Sequence, residues 1–138
     1  MSTQHDLRKQ NGFTLIELIV VVLIIAILAA IALPAFLGQR AKAQDGSAKS
    51  AARSIVSALE ACYTEIARYD PCPDGPTGVA MGTDPGQVEV STSGDEYTIV
   101  SHSLNGNSFT VVKNADATTT RTCSDAGTAL GGCDGGSW

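Results

Sequence analysis

The stretch GFTLIELIVVVLIIAILAAIALP, residues 12–34, decides the fold of this chain. From Phe13 to Leu33 only Thr14 and Glu17 are polar. A helix of this length, at about 1.5 Å per residue, reaches roughly 30 Å, the thickness of one bilayer hydrocarbon core. Composition alone predicts a single membrane anchor. It does not explain Glu17, because an acidic residue within a membrane segment normally needs a partner.

The rest of the 138-residue chain is rich in small and polar residues, and is suited to one small domain with a thin core. The net charge of −5 argues against general nucleic-acid binding. Four cysteines follow the apolar stretch: Cys62, Cys72, Cys123 and Cys133. An even number in a small domain behind a membrane segment predicts two disulfides in an oxidising compartment, with free thiols as the alternative. Their wide spacing does not suit zinc.

The first twelve residues are short, polar and mildly basic. In an ordinary secretory signal, the small-residue cleavage site follows the apolar core, whereas Gly12 precedes it. Cleavage after Gly12 would keep the apolar stretch and create a new α-amino group. This amine, from the same chain or a neighbouring copy, is the nearest candidate partner for Glu17.

The hexapeptide GFTLIE, residues 12–17, resembles the leader-cleavage motif of type IV pilins and related pseudopilins. The resemblance implies that a prepilin peptidase cuts after Gly12 and N-methylates Phe13. It also implies that Glu17 neutralises the amino terminus of an adjacent subunit during assembly. Such subunits wait in the membrane and then polymerise through their N-terminal helices.

The resemblance extends to Pro34, which matches the proline that kinks pilin helices. Many bacterial pilins have a glycine within the run where this chain has Ala26, a strong helix former. Apolar helices gain little from meeting in lipid, but in a filament the same surfaces are buried away from water. An unpaired carboxylate there is costly, so pairing of Glu17 would set the register.

Beyond Pro34 a helical stripe of apolar residues continues at spacings of four and three: Ala48, Ala52, Ile55, Leu59, Cys62, Ile66 and Tyr69. We predict one long helix from about Phe13 to Tyr69, in which Asp45-Gly46-Ser47 could permit a bend. The small residues of the stripe favour packing on the chain's own sheet over a coiled coil.

The C-terminal part begins with a loop over residues 70–86, rich in proline and glycine. Four strands are predicted: Gln87–Ser91, Glu96–Ser103, Ser108–Lys113 and Thr118–Cys123. Asn105-Gly106 indicates a hairpin, whose inward face should comprise Tyr97, Ile99, Phe109 and Val111, with Val100 and Val112 on the other face. The expected fold is α+β and pilin-like, with a long N-terminal helix packed against a small antiparallel sheet.

The expected organisation has four parts. Residues 1–12 form a cleaved leader, and 13–34 form the apolar transmembrane and filament-core helix. Residues 35–69 form an amphipathic helix, and 70–138 form a loop and sheet domain with disulfides. Among three possible disulfide pairings we prefer Cys62–Cys72 with Cys123–Cys133; the second resembles the C-terminal disulfide loop of many pilins, and a crossed pairing stays open.

No catalytic, cofactor or metal site is expected. His5 lies in the leader, and a lone strand histidine such as His102 is usually structural or solvated. Asp70 and Asp74 lack the intervening ligand of a calcium loop. No glycine-rich phosphate loop follows a strand. The chain is therefore not expected to be an enzyme.

The function predicted from the sequence and the resemblance is that of the major subunit of a bacterial type IV pilus. Its partners would be other copies of itself, the prepilin peptidase and the inner-membrane assembly machinery. It would sit in the cytoplasmic membrane as a single-pass protein before assembly and outside the cell afterwards. A type II secretion pseudopilin or a minor pilin is the alternative. The sequence does not distinguish twitching motility, cell adhesion and DNA uptake.

Overall fold

The computed structural model describes residues 12–70, 72, 78–125, 132–133 and 135–138. In this part of the chain one helix is followed by four strands. The chain divides into two compact units, Met1–Ala35 and Phe36–Trp138. In the second unit, helix and sheet residues share one hydrophobic core, which confirms the predicted α+β, pilin-like fold.

Helix α1 comprises Leu15–Ile66. It begins two residues later and ends three residues earlier than the predicted 13–69. The early end has a local cause, since Ala67 adopts a left-handed conformation with φ of 55°. The N–H of Ala67 still donates to the carbonyl of Tyr63 at 2.8 Å, which closes the last turn.

The sequence suggested a bend at residues 45–47, but all three are helical. Asp45 is fully buried, and its Oδ2 accepts hydrogen bonds from Asn107 Nδ2 at 2.9 Å and from the N–H of Gly132 at 2.6 Å. Aspartate is a poor helix former in isolation, so these distant donors explain why it is tolerated inside α1. Asp45 thereby joins the helix to the β2–β3 loop and to the C-terminal segment.

The sheet contains β1 (Val88–Ser93), β2 (Glu96–His102), β3 (Ser108–Lys113) and β4 (Thr119–Ser124). All neighbouring strands are antiparallel, and their spatial order follows the chain. The bounds of each strand agree with the prediction to within two residues.

The β2–β3 hairpin turns through residues 104–106, enclosed by a hydrogen bond from the N–H of Ser103 to the carbonyl of Asn107 at 2.8 Å. Gly106 has φ of 95°, a conformation that side chains resist, which accounts for the Asn-Gly signal. The predicted inward face is confirmed, since all four of its members are at most 2% exposed: Tyr97, Ile99, Phe109 and Val111.

The helical stripe packs on this inward face, as predicted. Ala52, Ile55 and Leu59 are at most 1% exposed and belong to the same core cluster as Ile99 and Val111. The stripe does not continue to the end of α1, since Ile66 is 43% exposed.

Tyr69 lies beyond the end of α1 and yet is fully buried. The left-handed Ala67 redirects the chain, and the N–H of Tyr69 donates to the carbonyl of Gly94 in the β1–β2 turn at 2.9 Å. The ring of Tyr69 contacts Tyr63 and Tyr97, with centroid distances of 4.6 and 4.9 Å. Tyr69 therefore reaches the core as a loop residue and not as the last member of a helical stripe.

Candidate functional site: the apolar N-terminal segment

The large apolar side chains between residues 13 and 37 are all exposed, by 47% to 88%. α1 is the described helix that is long and apolar enough to cross a membrane. A continuous apolar surface of this size is not stable in water and marks a site of contact with lipid or protein. This segment is therefore the main candidate functional site.

Thr14 and Glu17 form a capping box at the start of α1. Glu17 Oε2 accepts hydrogen bonds from the N–H of Thr14 at 2.8 Å and from Thr14 Oγ1–H at 2.7 Å. The N–H of Glu17 donates to Thr14 Oγ1 at 3.3 Å. Side chain and backbone thus satisfy each other reciprocally across one turn, as in the Thr-x-x-Glu form of this motif.

The capping box gives Glu17 a partner within its own chain, which the sequence analysis missed. The signal was local and readable, because Thr-x-x-Glu directly before an apolar helical run is a helix-start pattern. The described hydrogen bonds to the Glu17 side chain all reach Oε2. The box therefore engages one of the two carboxylate oxygens.

Gly12 and Phe13 precede the helix and are exposed, Phe13 by 88%. A Cβ added at Gly12 would meet no atom within 4 Å, and its φ is not one that favours glycine. The fold of this chain therefore gives no reason for a glycine at position 12.

Pro34 lies inside α1, and the residues around it are all helical, including Ala26. Proline has no N–H, so the carbonyl of Ala30 lacks its usual helical donor. In spite of this missing hydrogen bond, the helix is not unwound at Pro34 or at Ala26. A kink at Pro34 in the filament stays a prediction.

Comparison with known proteins agrees with this geometry. A family model for the prokaryotic N-terminal methylation motif matches residues 7–33. The type IV major pilin protein PilA of Myxococcus xanthus is 43% identical over 61 residues, which cover 44% of this chain and 28% of PilA. The fimbrial protein EcpB of Eikenella corrodens is 47% identical over 74 residues, 49% of this chain and 43% of EcpB. The N-terminal segment of the chain is therefore similar to those of type IV pilins.

A fimbrial protein of Neisseria meningitidis is also similar, with 43% identity over 75 residues, 54% of this chain and 44% of that protein. The chain spans about half the length, or less, of the curated relatives it matches. No solved structure was found to match it. Pilin-family relatives are structural subunits, which supports the expectation that the chain is not an enzyme.

Two disulfides stabilise the globular unit of the chain. Cys62 near the end of α1 is bonded to Cys72, and Cys123 in β4 is bonded to Cys133. The Cα–Cα distances are 5.9 and 5.7 Å, within the ordinary range for disulfides. Each bridge closes a short loop of ten residues' separation, and all four cysteines are engaged.

The other sites considered from the sequence do not assemble into a chemical centre. No group of three or more potential metal-ligating side chains occurs among the described residues. Asp70 Oδ1 accepts the N–H of Gly94 at 2.6 Å and so holds the β1–β2 turn, while Asp74 lies outside the described residues. His102 is half-buried in β2, and His5 lies outside the described part of the chain.

Glu60 forms a charged cluster beside the core. Lys113 Nζ lies 2.8 Å from Glu60 Oε1, which also accepts the hydroxyl of Tyr97 at 3.1 Å. Burial raises the pKa of Glu60. Hydrogen bonds from Lys113 and Tyr97, together with the charge of Lys113, lower this pKa by more than burial raises it, so that the net pKa is below its usual range. This ion pair is the only one among the described residues.

Proposed function

We propose that the chain is the major structural subunit of a bacterial type IV pilus. One observation carries the proposal: apolar side chains are exposed along residues 13–37, and the helix that carries most of them begins at Leu15, two residues after Phe13, with Glu17 in its first turn. A membrane anchor explains the apolar surface. The capping box needs an acceptor at Glu17 but no charge, whereas assembly also gives a use to the charge.

The proposed life of the subunit begins with removal of residues 1–12 by a prepilin peptidase and N-methylation of Phe13. Residues 13–34 then hold it in the cytoplasmic membrane as a single span and later pack in the filament core. Residues 35–69 and 70–138 form the amphipathic helix and the disulfide-stabilised domain. The inner-membrane assembly machinery transfers the subunit into the extracellular fibre, which is a homopolymer.

Glu17 has two partners in this proposal. Oε2 keeps the capping box with Thr14, and Oε1 accepts the methylated amine of a neighbouring subunit. A charge-assisted hydrogen bond in a water-excluded core is strong, and leaving either charge unpaired there is costly. The pair therefore favours one register between adjacent helices.

The matched relatives favour a pilin over a type II secretion pseudopilin, because four of them are named as major pilin or major fimbrial proteins. A major pilin differs from a minor pilin in how much of the fibre it makes up. The decisive experiment collects sheared surface fibres from cells producing the chain, for electron cryomicroscopy and N-terminal mass spectrometry. We expect fibres built mainly of this chain and starting at methyl-Phe13. Loss of secreted enzymes on deletion, without fibres, would establish the pseudopilin instead.

A further inference from the structure

Three cationic side chains surround the ring of Trp138. Its centroid lies 5.8 Å from Lys49 Nζ, 5.5 Å from the guanidinium of Arg53 and 5.7 Å from that of Arg121. The indole also contacts Phe109 edge-to-face at 5.6 Å. We call Lys49, Arg53, Arg121 and Trp138 the cationic face; it combines α1, β4 and the C-terminal segment.

The cationic face has no carboxylate within ion-pair distance among the described residues, where the ion pair of Lys113 is the only one. Arg53 and Arg121 are exposed, and Lys49 Nζ donates to the carbonyl of Gly132 at 2.6 Å. Arginine and tryptophan are enriched among the residues that dominate protein interfaces. Three cationic side chains thus meet around one indole in a chain of net charge −5.

The other edge of the sheet carries the opposite charge. No lysine or arginine occurs between Arg68 and Lys113 in the sequence. The strand order places β1 and β4 at opposite edges. Asp84 and Glu89 are exposed and in no described ion pair, and they form what we call the acidic edge.

We propose that the cationic face of one subunit binds the acidic edge of a second copy of this chain in the filament. The contact joins two different surfaces. In a pair of copies, one therefore keeps its acidic edge free and the other keeps its cationic face free, so that further copies can add at both ends. Electrostatic complementarity favours this pairing and disfavours face-to-face or edge-to-edge contact, where like charges meet. The inference rests on the proposed function and adds where the globular units meet.

The test reverses charge on one surface and then on both. In the full chain, Arg53→Glu with Arg121→Glu reverses the cationic face, and Asp84→Lys with Glu89→Lys reverses the acidic edge. We expect each double variant to lower the yield of sheared fibres by about tenfold or more, since several opposed charges then meet. The quadruple variant restores complementarity and should recover most of the yield.

Arg68→Glu is the matched control, because Arg68 is exposed and lies on neither surface. Thermal unfolding of each chain in detergent micelles separates loss of docking from loss of folding. Wild-type yield from both folded double variants overturns the proposal. So does a quadruple variant that is folded but forms no more fibres than either double variant.

Cross-linking decides the matter even without fibres. Arg53→Lys keeps the charge and supplies an exposed amine for zero-length carbodiimide coupling. In a mixture of isotopically labelled and unlabelled full chains, in fibres or in detergent micelles, we expect mixed-label peptides joining residue 53 to Asp84 or Glu89. Their absence from both samples contradicts the docking. Absence of fibres from wild-type cells contradicts only the proposed function, while the micelle sample still tests the docking.

Discussion

Glu17 combines two demands that a charged group in an apolar segment must meet. Its carboxylate stabilises the N-terminus of α1, because it accepts the N–H and hydroxyl of Thr14 at the positive end of the helix dipole. This local role needs a hydrogen-bond acceptor but no charge. The proposed role in assembly needs the charge as well, so the two roles are separable by substitution.

Glu17→Gln separates them, because glutamine also serves in a capping box but cannot neutralise an amine. We expect Glu17→Gln to abolish fibres or lower their yield by about tenfold or more, since the neighbouring amine is left unpaired in an apolar core. Thr14→Ala keeps the charge, removes the cap hydroxyl and should have a smaller effect. The measurement is fibre yield, with mass spectrometry confirming cleavage after Gly12.

Thr14→Ser is the control, because it keeps the hydroxyl and should resemble wild type. Normal fibres from Glu17→Gln would show that capping, and not charge pairing, is the reason for an acidic residue at this position.

At the scale of elements, local patterns predicted most of the fold. The apolar run, the alternation in the strands and the Asn105-Gly106 turn each depend on neighbouring residues, and each appears in the structure. The end of α1 was missed by three residues because a left-handed Ala67 has no sequence signature as clear as glycine. Thr14 was missed as a cap although its pattern was present.

Contacts between distant residues were not predictable in the same way. Asp45 was read only as part of a segment that could permit a bend, since nothing nearby in the sequence shows that Gly132 supplies a donor 87 positions later. The packing of Trp138 on Phe109 likewise depends on how β4 and the C-terminal segment meet. Such contacts follow from tertiary structure and have no periodicity of their own.

Asp45 should make stability depend on pH. Burial raises the pKa of Asp45, but the hydrogen bonds from Gly132 and Asn107 lower it by more, and the net pKa is below its usual range. A lowered folded-state pKa contributes stability that is fully present above the unfolded pKa of about 3.9 and is lost as pH falls through the folded value.

We expect Asp45→Asn to lower the free energy of unfolding at pH 7 by about 1–3 kcal/mol, because a buried acceptor is replaced in part by a donor. It should also flatten the loss of stability below about pH 4. Thermal unfolding of the full chain in detergent micelles between pH 2.5 and 7 measures both effects. Asp84→Asn, at an exposed position, should change neither; equal pH profiles for wild type and Asp45→Asn would refute the assignment.

For the whole molecule, stability comes from a thin core reinforced by covalent bonds. The core residues lie in Phe36–Trp138, and the apolar surface of Met1–Ala35 is kept for other contacts. A small domain with so few large buried side chains depends on its staples. Each short disulfide loop is worth about 2–3 kcal/mol in the unfolded-chain model.

Peptide mapping of the non-reduced chain should therefore give linked peptides for Cys62–Cys72 and for Cys123–Cys133. Substituting both cysteines of one pair by serine should lower the midpoint of thermal unfolding, with the other pair intact as an internal control. A linked peptide that joins Cys62 to Cys123 would show a crossed pairing and would exclude the arrangement described above.

The packing of Trp138 affects how the chain can be labelled. An affinity tag placed directly after Trp138 would start from a residue held against Phe109 and three cations, and so would compete with the native contacts of β4. The β3–β4 turn is better suited, because Ala115, Asp116 and Ala117 are all exposed and loop tips tolerate insertions. An epitope inserted after Asp116 should leave the indole in place and reach antibodies from the outside.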